Sequence, residues 1–219
     1  MGRQRTMALG RFGFAVLALA ASAAAPSGAV AADCGAEVAA AFERQRKTPA
    51  FRLVADTKGD QGLVKMQIDY VPPDRMHQTV THPNHTAPLE TIAIGRWAWG
   101  TMGAGWEELQ PQFAQSVTAF TKQTLVDPIP SDSSFECLGK VAFEGKDYVA
   151  YRTKSTADAA AAGGSTAIAR TVYVDPASGL PMLNVVADVK PGTEPLFKGI
   201  FSYPADLRIE APLGDPNPK

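Results

Sequence analysis

Two hydrophobic periods alternate along the chain. In VKMQIDY, Val64, Met66, Ile68 and Tyr70 fall on one side, and Lys65, Gln67 and Asp69 on the other. That alternation predicts a strand with one dry and one wet face, as in antiparallel sheet. FRLVADT reads as its hairpin partner, with KGDQG as the turn. Val71-Pro72-Pro73-Asp74-Arg75 breaks the sheet, MHQTVTH resumes it, and PNHTAP turns again. ETIAIGRWAWG is a further strand, with GWEEL as its return. KVAFEG pairs with KDYVAYRTK, ARTVYVDPASGLPMLNVVAD is a hairpin turning at Asp175, Pro176, Ser178 and Gly179, and FKGIFSYPADLRIEAP supplies the last strands.

Helical spacing occurs twice. Over about 35–47, Val38, Ala39 and Phe42 form an apolar face. Asp33 is placed to cap this helix and Glu37 lies in its first turn, while Arg44, Arg46 and Lys47 crowd its last turn, as the helix dipole favours. Pro49 stops it. The second helix starts at Pro111, carries Phe113, Val117, Phe120 and Leu125, and ends at DPIPSDSS. Helix, strands, helix, strands with short antiparallel links predicts an α+β fold, one curved antiparallel sheet with both helices on one face.

The first 31 residues read differently. Arg3, Arg5 and Arg11 precede the uncharged FGFAVLALAASAAA, and Ala29-Val30-Ala31 has the small-x-small form of a cleavage site. This is the pattern of a secretory signal peptide and predicts export to the periplasm. An uncleaved anchor is the alternative, but the apolar run is short for a membrane span. The expected organisation is a signal peptide at 1–31, one domain at 32–212 and a frayed tail at 213–219. STADAAAAGGSTA, within the domain, is low in complexity and is expected to be mobile.

Removal of residues 1–31 leaves 18 basic and 22 acidic side chains, a formal charge of −4. That balance speaks against nucleic acid as a partner. Cys34 and Cys137 are the only cysteines. In an oxidising compartment an even count predicts one bridge, with two buried thiols as the alternative.

The order of VPPDR, ETIAIGRWAWG with GWEEL, TVYVDPASGLPMLNV and a closing LRIEAP resembles the LolA-like superfamily. That superfamily comprises periplasmic lipoprotein carriers, LppX-like lipoproteins and the sensor domain of RseB-like regulators. The resemblance spans about Glu37 to Pro212. It implies a strongly curved antiparallel half-barrel whose N-terminal and mid-chain helices cover a concave apolar face that takes acyl chains. It also implies a soluble member, because Asp33 before Cys34 breaks the lipobox of lipid-linked relatives. Dedicated carriers close their lid through an arginine bonded to helix carbonyls, and Arg52 is the match by its place on the first strand.

The expected ligand-lining residues are Met66, Ile68, Tyr70, Ile92, Ile94, Trp97, Trp99, Phe113 and Val117. Read as one continuous strand, ETIAIGRWAWG puts Trp97 and Trp99 on one face with Thr91, Ala93 and Gly95. Ile92, Ile94, Arg96 and Ala98 then take the other face, and whichever face looks inward lines the concavity. Core packing is the alternative for all of these side chains.

Other chemistries find little footing. GTMGAG lacks the lysine of a phosphate loop and the spacing of a dinucleotide fingerprint. His77 and His82 fall on opposite faces of a regular strand, so only His82 and His85 are placed to act jointly, with no cysteine beside them. Glu107 and Glu108 diverge, and Ser116, Ser131, Ser133 and Ser134 lack a nucleophile context. The expectation is therefore a non-enzymatic protein without metal or cofactor. Its expected partner is a lipid or acylated ligand, with an envelope or membrane protein as the second possibility, recognised by a sensor module of the same fold.

Overall fold

A computed structural model describes residues 34–59, 62–129, 135–153, 168–189 and 192–214. The expected signal peptide, the expected cap at Asp33, the tip of KGDQG, Ser131 to Ser134, the small-residue run at 155–167 and the end of the tail lie outside the described residues.

Helix α1 runs Gly35–Arg46 and is followed by strands β1 (Phe51–Gly59), β2 (Gly62–Val71), β3 (Arg75–Thr81), β4 (Leu89–Ile94), β5 (Trp97–Thr101) and β6 (Glu107–Glu108). Helix α2, Pro111–Leu125, separates these from β7 (Phe135–Phe143), β8 (Lys146–Thr153), β9 (Ile168–Val174), β10 (Pro181–Asp188) and β11 (Phe197–Ser202). All strands join one antiparallel sheet in the order β6-β5-β4-β3-β2-β1-β11-β10-β9-β8-β7, which does not close. The fold is the expected α+β curved half-barrel. The crossover that brings β11 beside β1 puts the centre of the sheet where the two halves of the chain meet.

Both helices lie on one face. Cross-strand partners share a face in an antiparallel sheet, so the register sorts the side chains. The inner face carries Phe51, Ile68, Tyr70, Met76, Ala93, Ala98 and Phe201, packed with Leu125 and Val117 of α2 and Phe42 of α1. On the other half of the sheet, Val38 and Ala41 of α1 meet Phe135, Tyr151, Val172 and Val174. Thus α1 covers the β7–β10 side and α2 the β2–β5 side, with β1 and β11 between them.

The outer face has two apolar patches of its own. Tyr148, Tyr173, Leu183 and Val185 pack beneath the β7–β8 hairpin with Phe143, and Glu144 at that hairpin's tip pairs with Lys198 of β11. At the opposite end, Ile92 and Trp99 pack with Ile209 of the C-terminal segment, and Arg75 Nη1 donates to the Ile209 carbonyl at 2.6 Å.

Several sequence readings change. The first residue of α1 follows Cys34, whose side chain makes no cap bond, and the helix ends one residue earlier, at Arg46. ETIAIGRWAWG is two strands, because Gly95 and Arg96 form a two-residue turn between the paired Ile94 and Trp97. Gly95 adopts φ 58°, which glycine tolerates without a Cβ penalty. The turn resets the alternation, so Ile92, Ile94, Trp97 and Trp99 share one face and Ala93 and Ala98 share the other. Asp69, read as a wet-face residue, is buried on the outer face, where Arg52 grips both its oxygens.

Candidate functional site

A cleft of about 970 Å³ opens between α1, α2 and the inner face of the sheet. Its floor is Phe51 and Leu53 of β1, Tyr70 of β2 and Phe201 of β11. Val38 and Phe42 form the α1 wall, and Ser116, Ala119 and Phe120 the α2 wall. Aromatic rings stiffen the floor: Phe51 stacks on Tyr70 at 4.7 Å between centroids, and Phe42 meets Phe201 edge-on at 6.2 Å. Such a lining removes apolar ligand surface from water, at about 0.8 kcal/mol per buried methylene.

The α1 wall is held from several sides. The disulfide joins Cys34 to Cys137 of β7, with Cα atoms 5.7 Å apart. Glu37 accepts from the Tyr151 hydroxyl at 2.7 Å. Buried Gln45 donates to the Tyr203 hydroxyl at 3.2 Å, which in turn donates to the Pro181 carbonyl.

The α2 wall is held chiefly at its C-terminal end. Arg46 donates to the carbonyls of Gln123, Thr124 and Asp127 at 2.9, 2.7 and 2.6 Å. A cation here satisfies carbonyls that the helix end leaves unpaired and opposes the negative end of its dipole. The resemblance implied this role for Arg52; the structure gives the helix carbonyls to Arg46, while Arg52 pairs with Asp69. Arg46 stood at the end of a helix, where the basic last turn already explained it.

Tyr70 reaches from the sheet to Thr124, and burial pushes its hydroxyl pKa up to about 12. Burial also raises the Tyr203 hydroxyl and lowers the Arg170 guanidinium. Arg170 projects from β9 into the cleft, its Nε donating to Asn184 Oδ1 at 2.8 Å and its Cζ lying 5.5 Å from the centroid of the Phe42 ring.

Of the expected lining residues, Tyr70 lines this cleft. Met66, Ile68 and Val117 are on the inner side but belong to the packing beneath α2. Phe113 is 58% exposed in the first turn of α2, away from the cleft. Ile92, Ile94, Trp97 and Trp99 are corrected: they face outward and pack with Ile209 and Trp106, because the Gly95–Arg96 turn brings both strands' large side chains to the same face. The small Ala93 and Ala98 face inward, where α2 packs on β4 and β5.

Sequence reading passed over Leu53, Phe120, Arg170, Asn184 and Phe201 as site residues. Arg170 had a signal: in IARTVYV it shares its face with Val172 and Val174, a charge on an otherwise dry face. His82 and His85 stay together, their rings edge to face at 5.2 Å between centroids, and His77 stands apart from them. His77 bonds Glu90 at 2.8 Å, and among the described residues the one triad with metal-ligand spacing is Cys34, Glu37 and Cys137, whose thiols form the disulfide.

No protein-family model matches the chain, and no curated protein matches it in sequence. Solved structures similar to it include the lipoprotein LppX of Mycobacterium tuberculosis, at 13% identity and TM-score 0.47, covering 77% of this chain and 92% of that one. The MucA/MucB complex of Pseudomonas aeruginosa matches at 14% identity and TM-score 0.44, over 80% of this chain and 59% of that one. A LolA superfamily protein of Nitrosomonas europaea matches at 10% identity and TM-score 0.31, over 74% and 90%. Among the described residues, no helix is long and apolar enough to cross a membrane.

Proposed function

We propose that the chain is a periplasmic binding or carrier protein for a lipid or another apolar ligand, acting non-covalently. The observation that carries this reading is the cleft itself, about 970 Å³ with an aromatic and aliphatic floor between two helices and the sheet. Its size falls within the range of small-molecule sites, and its lining joins apolar side chains with polar ones, Arg170 and Asn184 among them, as ligand sites do. The mechanism is burial of an apolar tail, with displacement of α2 opening the way in. The reading is non-enzymatic and needs no cofactor.

A second reading is an envelope protein-interaction module. It draws on α2, whose Phe113 and Phe120 are exposed on the helix surface. The two separate cleanly. Native mass spectrometry of protein taken from its own periplasm is expected to show bound lipid, and delipidated protein should gain thermal stability on addition of fatty acids or phospholipids. Absence of both effects, together with co-purification of a membrane protein free of lipid, overturns the first reading in favour of the second.

A further inference from the structure

Arg170 is hard to account for by packing alone. Arg170 is half-buried, and a guanidinium drawn partly out of water loses solvation that a counter-charge or hydrogen bonds must replace. Its Nε is satisfied by Asn184 Oδ1, and its other two nitrogens stay open to the water of the cleft. The Phe42 ring offers its face, which is a weaker contact. The acidic side chains on this side of the sheet are engaged elsewhere: Asp127, which lines the cleft, pairs with Lys122, and Glu37 of α1 accepts from the Tyr151 hydroxyl. Among the described residues, no ion pair includes Arg170. The group is kept, charged, on the wall of an apolar cleft, with its remaining donors toward the space that a ligand would fill.

We propose that the ligand of this cleft is an anionic amphiphile, whose carboxylate or phosphate is received by Arg170, with Asn184 holding the guanidinium in place, while its tail lies on Phe42, Phe51, Leu53 and Phe201. This deepens the lipid-binding reading and rests on it. The geometry suits the role: Arg170 and Asn184 stand on adjacent strands β9 and β10, and the apolar floor runs from them across β11 and β1 toward β2. An arginine is the side chain for this task, because its planar fork matches two acidic oxygens at once. The pKa of Arg170 is lowered by burial, which agrees with a cation that has no acidic partner among the described residues.

The test compares charged and neutral ligands of equal tail. Delipidated full chain is titrated calorimetrically with laurate and methyl laurate, with a short-chain phosphatidylglycerol and the matching diacylglycerol, and with inorganic phosphate alone. The same titrations are run on Arg170→Gln and Arg170→Lys. Each acid is expected to bind at least about tenfold more tightly than its neutral counterpart. That preference, read in each variant as the ratio of laurate to methyl laurate affinity, should vanish in Arg170→Gln and return in part in Arg170→Lys. The laurate and phosphatidylglycerol arms tell a carboxylate from a phosphate ester, and tight binding of inorganic phosphate would overturn the amphiphile in favour of a free anion. Equal binding of charged and neutral ligands overturns the inference and leaves the lipid-binding reading standing. A preference that survives in Arg170→Gln also overturns it, and failure of every lipid to bind sinks both. Should Arg170→Gln not fold, Asn184→Ala replaces it: there the preference must fall while methyl laurate still binds, and an unchanged preference overturns the proposal.

Discussion

The two helices cover the same face of one sheet, yet they are attached in different ways. Helix α1 buries Val38, Ala41 and Gln45 along its length, is bonded to β7 through the disulfide at its start, and carries Arg46 at its end. Helix α2 buries Thr121 and Leu125 near its C-terminus and leaves Phe113 and Phe120 exposed. One wall of the cleft is therefore fixed, and the other is hinged at the end that Arg46 holds. Cooperative unfolding units are bounded by where packing is thin, and the N-terminal turns of α2 are the thin part.

The sharpest way to break this contrast is to free the fixed wall. Replacing Cys34 and Cys137 together by serine opens a link across 103 residues, which should cost about 4–5 kcal/mol. Chemical unfolding with and without reductant measures it; a loss no larger than for a surface mutation would mean that α1 is held by packing alone. Removing the hinge comes next. Arg46→Ala is expected to cost about 2–3 kcal/mol, since bonds from a charged donor to otherwise unpaired carbonyls are among the stronger ones. Hydrogen exchange should then rise in α2 and stay low in α1; equal loss in both helices would show that they move as one unit.

Alkali probes the floor between them. The Tyr70 hydroxyl ordinarily ionises at 10.0 and is pushed up to about 12, chiefly by burial. Because the unfolded chain loses this proton first, the contribution is intact below pH 10 and falls away as pH rises toward 12, by about 3 kcal/mol. Unfolding at a series of alkaline pH values, with phenolate absorbance followed alongside, reads both the sign and the window. The smallest effects lie on the hinged wall. Phe113→Ser and Phe120→Ser should each change stability by less than about 0.5 kcal/mol. Lipid affinity should drop for Phe120→Ser, which lines the cleft, and hold for Phe113→Ser, which does not.

Much of the architecture could be read from local pattern. Period-two alternation in VKMQIDY and ARTVYV, turn residues such as Asp175 and Gly179, and Pro111 at the start of α2 all act within a few positions, and the elements form where those signals stand. The site was less legible because it depends on which face is which. A two-residue turn at Gly95–Arg96 is a small mark, but it inverts the facing of every side chain after it. The pairing of β11 with β1, which puts Phe201 on the cleft floor, joins segments far apart in the chain and leaves no local trace. Arg46 and Arg52 show the same limit: two arginines near in sequence serve a helix end and a buried carboxylate, and only the folded geometry sorts them.

Trp97, Trp99 and Trp106 all pack in the outer cluster with Ile209, on the far side of the sheet from the cleft. The protein's intrinsic tryptophan emission is thus a gauge of the C-terminal segment seated on β4 and β5, not of the cleft's contents. A titration followed by that emission would stay flat while a ligand filled the cleft, and a spectral shift would announce that Ile209 had left its seat. For the cleft, the optical reporter the chain supplies is Tyr70, which stands on its floor and touches the hinge of α2.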